Sequence, residues 1–217
     1  MTDEQIRTRR EVEIETRRAL IVDTTRRLLS TSEIESTSMD DIAAAVQYTR
    51  RTLYAYFKSR DEILLQVFAD DTSNRWSVQL EAVAGVEGAI DKLRVWGECL
   101  YRYSCDHPSS VRLQAFWSYK GIDRSKISDG LFADFEALNN ELADGLREIF
   151  RQGIDDGSFH PELEIDLCVS QFLYSLRAVI DRALSPGYSF AQFDSDDYVT
   201  RFLDLFIRGI QNHRETS

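Results

Sequence analysis

Apolar residues recur at helical spacing along almost the whole of this chain of 217 residues. The alternation of apolar and polar residues between hairpin turns that is typical of strands does not appear. Only three prolines occur, and Pro108, Pro161 and Pro186 all fall between periodic segments, as expected where long helices must not be interrupted. The sequence therefore predicts an all-α protein, with breaks near residues 84–88, 106–108, 121–126, 155–157 and 185–187.

Composition restricts the class of protein. A hydrophobic fraction of 43% with 29% charged residues is typical of a soluble globular protein. No apolar run approaches the ~20 residues of a membrane helix, and the polar N-terminus does not resemble a secretory signal, so we expect a cytoplasmic protein. Cys99, Cys105 and His107 lie close together in sequence, but no second ligand pair accompanies them, so structural side chains are favoured over a metal site. Neither a metal nor a cofactor is expected.

The formal net charge of −11 is unevenly distributed along the chain. Residues 1–60 carry 11 Lys/Arg and 10 Asp/Glu, whereas residues 61–217 carry 15 and 27. Nucleic acid would be repelled by the longer part and tolerated only at the N-terminal end. The N-terminal arm carries Arg7, Arg9 and Arg10. Either it reaches a groove or the phosphates of a nucleic acid, or it is a frayed, solvated tail.

Capping signals divide the N-terminal part into helices. The first is predicted from about Glu11 to Leu29, and it leaves four arginines in solvent, namely Arg17, Arg18, Arg26 and Arg27. Ser38 caps a short second helix that ends near Val46, and Thr49 caps a third that runs to about Tyr56. Ser59, Arg60, Asp61 and Glu62 form a capping box that opens a long fourth helix. Two short helices joined by a tight turn indicate a helix-turn-helix.

The third helix has an unusual charge pattern. Leu53 and Phe57 lie four residues apart, so they can fix one face to the preceding helices. The first turn of a helix prefers acids, yet this one carries Arg50 and Arg51. An anion bound at that tip would offset the repulsion and meet free N–H groups. The alternative is two solvated arginines on an exposed helix.

These residues resemble the DNA-binding domain of TetR-family repressors from Ile21 to Asp61, through T-S-M-D-D-I-A, T-R-R-T-L-Y-A-Y-F and K-S-R-D in this chain. The resemblance implies that Thr49 caps the recognition helix, that the arginines face base edges and that Lys58 meets phosphate. The implied DNA-binding residues are Thr49, Arg50, Arg51, Thr52, Tyr54, Tyr56 and Lys58. Two departures concern Gln47 and Glu33, which stand where the family usually has glycine. Gln47 would have to adopt a left-handed conformation, at a cost of ~1–2 kcal/mol.

The two C-terminal helices are apolar on more than one face, whereas a helix on the outside of a monomer shows one stripe. Together with the family resemblance, this predicts a homodimer through residues of about 162–184 and 196–211, in a four-helix interface. The alternative is that both helices are central to the core of a monomer.

An aromatic-rich segment precedes those helices, and by analogy it would hold a small-molecule pocket that is mostly apolar. The candidate effector residues are Trp96, Gln114, Phe116, Trp117, Phe135 and Asn139. A plain hydrophobic core is the alternative for each aromatic residue. The acidic composition disfavours an anionic ligand, although a local arginine would override that.

The sequence thus predicts a helix-turn-helix domain in residues 1–60, joined through the fourth helix to an effector-binding and dimerisation domain in residues 61–217. The function predicted is a transcriptional regulator that binds a palindromic operator and acts as a repressor released by a small molecule. An enzyme is disfavoured because no phosphate loop or catalytic pairing is recognisable, so no catalytic residues are assigned. An adaptor that has lost DNA binding is disfavoured because Arg50, Arg51, Tyr54 and Lys58 share one surface.

Overall fold

The computed structural model describes residues 3–185 and 194–212, with side chains from residue 10 onward. Within these ranges the chain is helical, with one isolated bridge between Phe159 and Gln211 and no strand. The predicted all-α class is confirmed. The helices are α1 (Asp3–Thr31), α2 (Met39–Val46), α3 (Arg50–Tyr54), α4 (Arg60–Ala84), α5 (Ala89–Asp106), α6 (Pro108–Lys120), α7 (Asp129–Asp155), α8 (Ile165–Leu184) and α9 (Ser195–Ile210), with a 3₁₀ turn at Arg124–Lys126.

The breaks between helices fall where the sequence predicts them, except that Pro186 and Gly187 lie outside the described residues. No helix in the described part of the chain is long and apolar enough to cross a membrane. The first helix is longer than predicted, since it begins at Asp3 instead of near Glu11. Its first turns carry Glu, Gln and Arg, which favour helix by propensity without giving an apolar stripe. Arg10 is exposed there, while the side chains of Arg7 and Arg9 lie outside the description.

The chain forms two compact units, each assembled from separate stretches of sequence. The first comprises Met1–Thr72 with Pro108–Glu136, and the second comprises Ser73–His107 with Ala137–Ser217. The division falls inside α4, which agrees with the predicted long fourth helix that continues beyond the helix-turn-helix. However, α6 belongs to the first unit, because its apolar residues share a core with α4. The functional division into residues 1–60 and 61–217 stays a prediction.

The core of the first unit packs α1 to α4 and α6 around a continuous set of apolar side chains. Ile21 and Leu29 of α1 are fully buried there, as are Ile42 of α2 and Ile63 of α4. One expectation for α1 is wrong: Arg26 is half-buried and not simply solvated, because its guanidinium pairs with a carboxylate of α4. Its Nε lies 2.8 Å from Oδ1 of Asp71, a buried residue.

In the second unit, α5, α8 and α9 pack around a separate core. Gly97 of α5 permits the closest approach, since a Cβ atom there would lie 2.5 Å from Cδ2 of Leu203 on α9. Leu176 of α8 packs at the same point, 3.4 Å from that position. The absence of a side chain at residue 97 therefore sets how closely the three helices meet.

The turn between α2 and α3 contains the left-handed residue that the sequence predicts. Gln47 has φ 61° and ψ 37°, and it is the one non-glycine residue with positive φ among those described. Two N–H groups close the C-terminal end of α2. The N–H of Gln47 donates to Ala44 O at 3.2 Å, and the N–H of Tyr48 donates to Ala43 O at 2.9 Å. This geometry at a helix C-terminus is the one that glycine usually supplies.

We therefore expect Gln47→Gly to raise the free energy of unfolding by about 1 kcal/mol, because glycine relieves the left-handed strain. Gln211 provides a matched control, since it ends α9 with φ −63°. Gln211→Gly should lower the free energy of unfolding by up to about 1 kcal/mol, through the entropy of the unfolded chain. Urea denaturation measures both. Equal shifts of the two midpoints in the same direction would show that backbone strain at Gln47 is negligible.

Candidate nucleic-acid interface

The start of α2 has the predicted cap at Ser38, and the structure shows that it is a reciprocal capping box. Ser38 Oγ accepts the N–H of Asp41 at 3.2 Å, and the Asp41 carboxylate accepts the N–H of Ser38 at 2.8 Å. The Ser38 hydroxyl also donates to that carboxylate at 2.6 Å. These hydrogen bonds hold the pKa of Asp41 below its ordinary value. Because the ionised carboxylate completes the box, the start of α2 is well defined at neutral pH.

Helix α3 is short and rests on two buried side chains. Thr49 caps it, because its Oγ1 accepts the N–H of Thr52 at 3.1 Å. The two threonine hydroxyls are 2.8 Å apart. Leu53 and Phe57 are fully buried, which confirms their predicted packing. The helix ends at Tyr54 and not at Tyr56, since the chain turns to bring Phe57 into the core.

The opposite face of α3 is open to solvent. Arg50, Arg51, Tyr54 and Lys58 are all exposed. Arg50 lies 3.3 Å from Asp40 Oδ2 and donates to the Tyr54 hydroxyl at 3.4 Å. Arg51 forms no ion pair with any residue that the structure describes. The face therefore presents one arginine that is held by neighbours and one that is available to a partner.

Thr49 is also exposed, but the other two predicted contact residues are less accessible. Thr52 is half-buried and its hydroxyl is engaged with Thr49. Tyr56 is also half-buried, and its hydroxyl accepts a hydrogen bond from Arg17 Nη1 at 3.3 Å. The assignment of all seven residues to DNA contact stays a prediction. The geometry favours direct contact for the exposed members and a supporting role for Thr52 and Tyr56.

Two arginines of α1 hold the end of α3, which the sequence does not reveal. Arg18 donates to the carbonyl oxygen of Tyr56, and its guanidinium carbon lies 4.1 Å from the centre of the Phe57 ring. Arg17 holds the Tyr56 hydroxyl and pairs with Glu13 at 2.6 Å. Both arginines are half-buried where solvent was expected. They position the end of α3 through a hydrogen bond to the Tyr56 carbonyl and a cation–π contact with Phe57.

The start of α4 is bound to the segment before α7. Ser59 Oγ accepts the N–H of Glu62 at 3.0 Å, as predicted, and donates to Lys126 O at 2.7 Å. The second half of the predicted capping box is wrong. The buried Glu62 carboxylate instead accepts the N–H of Lys58 and, at 3.1 Å, the N–H of Ser128. It therefore satisfies two backbone donors that are far apart in sequence.

Further contacts strengthen this link, which we call the α4 tip network (residues 58–62 with 120–128). Lys120 Nζ lies 2.9 Å from the buried Asp61 carboxylate. Lys58 Nζ donates to Ile127 O at 3.4 Å. The predicted phosphate ligand Lys58 is thus already in contact with the connection between α6 and α7. A change in that connection would move the Lys58 ammonium.

The predicted effector residues are divided between the two units. Phe116, Trp117 and Phe135 belong to the core of the first, where the Phe116 and Trp117 ring centres are 4.9 Å apart. Gln114 is half-buried beside them in sequence and donates to Ser118 Oγ at 3.1 Å. Trp96 and Asn139 belong to the second unit, where Trp96 is buried against Phe172. Their role in a pocket stays a prediction.

An open cleft of about 340 Å³ lies in the second unit between the end of α5 and the start of α9. Tyr101 donates to Asp196 Oδ1 at 2.6 Å within it, and burial together with this carboxylate raises the pKa of Tyr101. None of the six predicted effector residues lines this cleft. Cys105 lines it and is free, like the other two cysteines. No group of His, Cys, Asp and Glu in the described ranges could hold a metal ion.

Comparison with known proteins identifies relatives of the helix-turn-helix and of the whole fold. Residues 21–67 match the family described as bacterial regulatory proteins, tetR family. The HTH-type transcriptional repressor KstR2 of Mycolicibacterium smegmatis is 22% identical over 178 residues, which are 82% of each chain. The structure of the ketosteroid transcriptional regulator KstR2 of Mycobacterium tuberculosis has a TM-score of 0.66 at 18% identity, and the match covers 90% of this chain and 95% of that one. AibR, solved in complex with isovaleryl coenzyme A and operator DNA, has a TM-score of 0.65 at 17% identity, with 87% and 97% covered.

We expect Glu62→Gln to lower the free energy of unfolding by about 1–3 kcal/mol, because one of the two backbone donors would face an amide NH₂ and stay unsatisfied. Glu35 is exposed in the loop before α2, so Glu35→Gln should change stability by less than about 0.5 kcal/mol. Chemical denaturation compares the two. Equal midpoints for both variants would mean that Glu62 does not hold the α4 tip network together.

Proposed function

We propose that this chain, whose residues 21–67 match the family described as bacterial regulatory proteins, tetR family, is a homodimeric repressor that binds palindromic operator DNA through α3 and is released by a small-molecule effector. Relatives support repression, operator binding and a small-molecule ligand. KstR2 of Mycolicibacterium smegmatis is a transcriptional repressor, and AibR was solved with both operator DNA and isovaleryl coenzyme A. The names of these relatives describe regulators of transcription and not enzymes.

The observation that carries the DNA-binding role is the exposed arginine pair on a helix whose other face is fully buried. A rigidly held helix can present side chains to the major groove in a fixed orientation. Arg51 reads a base edge, most favourably guanine O6 and N7. Lys58 at the next helix tip binds a phosphate and sets the register. Arg50 is able to contact either a base edge or a phosphate, because Asp40 and Tyr54 already orient its guanidinium.

Arg51→Ala should weaken operator binding by about 1–3 kcal/mol and relax the preference at one base pair. Lys58→Ala should weaken binding to all DNA sequences about equally. It should also reduce the salt dependence of the binding constant by the contribution of about one phosphate contact. Arg27 is exposed on α1 and pairs with Asp23 at 2.7 Å, so Arg27→Ala serves as the control of equal charge change. Fluorescence anisotropy on operator variants at several salt concentrations measures all three. If Arg51→Ala behaves like Arg27→Ala, α3 does not read the operator directly.

The dimer is supported by apolar side chains on the outer faces of α8 and α9. Leu167 and Tyr174 of α8 are 51% and 68% exposed, and Leu205 of α9 is 71% exposed. Both helices also bury their inner faces, through Phe172 and Leu203 for example. Large apolar residues exposed beside a complete core mark an association surface. We therefore assign the dimer interface to the outer faces within residues 162–184 and 196–211.

Leu205→Glu should place a charge in that interface without disturbing the core, and convert a dimer into a monomer at micromolar concentration. Leu80 is 43% exposed on α4, so Leu80→Glu is the matched control and should stay dimeric. Sedimentation equilibrium measures the mass, and circular dichroism checks that both variants fold. A Leu205→Glu protein that sediments as an unchanged dimer would remove α9 from the interface.

The α4 tip network supports a route by which an effector releases DNA. Lys58 contacts the Ile127 carbonyl, and Ser59 and Glu62 contact residues 126 and 128. A ligand that displaces the connection between α6 and α7 would therefore change the tip of α4 directly. A tenfold change in operator affinity requires only ~1.4 kcal/mol of coupling. An effector that weakens operator binding must itself bind more weakly to the DNA complex.

A further inference from the structure

The exposed charge of the α4 tip network has the opposite sign to that of the whole chain. The protein carries a formal net charge of −11. Within residues 58–62 and 120–128, however, the acids Asp61 and Glu62 are buried, which leaves Asp123 as the exposed acid. Four cations are exposed in the same network, namely Lys58, Lys120, Arg124 and Lys126. The network therefore presents a basic surface, and a basic surface attracts polyanions.

This basic surface is continuous with the residue that binds phosphate in the proposed DNA complex. Lys58 Nζ donates to Ile127 O at 3.4 Å, and Ser59 Oγ donates to Lys126 O at 2.7 Å. Lys126 therefore lies against the residue that follows Lys58. Phosphates succeed one another about every 3.4 Å along the axis of each DNA strand. A strand that passes Lys58 thus brings further phosphates to the connection between α6 and α7.

Arg124, in that connection, is available to contact such a phosphate. The side chain is exposed, and no carboxylate among residues 10–185 and 194–212 pairs with it. Its guanidinium carbon lies 4.1 Å from the centre of the Phe132 ring. The ring supports the guanidinium by a cation–π contact and leaves its N–H groups for another acceptor. A planar guanidinium with N–H groups to spare matches the oxygens of a phosphate.

Lys126 has weak partners that a phosphate replaces at small cost. Its Nζ lies 3.3 Å from Asp123 Oδ2, three residues earlier, and 3.9 Å from Oδ2 of the buried Asp61. The Lys126 side chain is 50% exposed, and an ion pair at such exposure contributes little to stability. Asp61 is held more closely by Lys120, at 2.9 Å. The Asp61 carboxylate therefore keeps a partner when the Lys126 ammonium turns to a phosphate.

We propose that the connection between α6 and α7 is a second phosphate-binding element of the DNA interface, in which Arg124 and Lys126 contact the backbone beside the phosphate held by Lys58. These contacts are independent of sequence, because phosphates carry no base identity. They add affinity and fix the orientation of the duplex relative to α3, while Arg51 reads the sequence. This inference rests on the proposed function, because it extends the interface through which that function is performed.

The salt dependence of DNA binding tests this proposal. Each phosphate contact contributes about 0.9 to the steepness of log affinity against log salt concentration. We expect Arg124→Ala and Lys126→Ala each to lower the steepness by that amount, so that the loss of affinity is about threefold larger at about 50 mM salt than at about 200 mM. The effect should be equal on the operator and on a duplex without the palindrome. Fluorescence anisotropy measures both duplexes, and Lys126→Arg should keep the unsubstituted steepness.

The second unit offers a matched control pair. Arg151 lies 3.3 Å from Glu148, three residues earlier, and its side chain is 51% exposed, so this pair repeats the geometry of Lys126 and Asp123. Arg151→Ala should leave the salt dependence unchanged. Asp123→Asn should strengthen binding to both duplexes about two- to threefold, because a surface carboxylate no longer competes with phosphate for Lys126. Glu148→Gln should not strengthen it.

Arg124→Ala and Lys126→Ala proteins with the same salt dependence as Arg151→Ala overturn the proposal. A loss of affinity that is equal at every salt concentration also overturns it, because it shows a structural role without a phosphate contact. In both cases a lower salt dependence for Lys58→Ala leaves the proposed function standing. If instead the salt dependence changes as expected but the operator is bound no more tightly than the duplex without the palindrome, the repressor function is wrong and the phosphate contacts stand.

Discussion

The burial of Leu53 and Phe57 beneath α3 is the constraint on which the candidate interface depends. A helix of five residues has no stability of its own, because nucleation consumes more conformational entropy than so few hydrogen bonds return. It persists because both side chains are fully buried in the first unit. Thr49 closes its N-terminus, and Arg18 holds the carbonyl that follows its C-terminus. The direction in which Arg50 and Arg51 point is therefore set by the hydrophobic core and not by α3 itself.

The features that could be predicted from the sequence are those determined within a few residues. Ser38 and Thr49 were identifiable as caps because a cap needs only the N–H groups two or three residues ahead. The left-handed Gln47 followed from the family resemblance, which places it where glycine is usual in the turn. Contacts across long separations were not predictable in the same way. Glu62 was assigned to its own helix end, yet its carboxylate binds the N–H of Ser128, which is 66 residues away.

The candidate effector residues show the same limit in another form. Trp96, Phe116 and Phe135 each lie in a segment with helical periodicity, and such periodicity indicates a buried face without saying whether that face meets protein or ligand. The structure distributes these aromatics between two cores.

The first unit is assembled from two stretches of chain, and this has a consequence for how the protein is made. Residues 1–72 emerge from the ribosome first, but the unit also requires residues 108–136. Until those are synthesised, the α4 side chains that meet Leu113, Phe116 and Phe135 lack part of their core. The N-terminal helices therefore cannot reach their final stability during early synthesis, in contrast to a domain that folds as one contiguous unit. The candidate interface on α3 therefore reaches its final stability only after more than half of the chain has been translated.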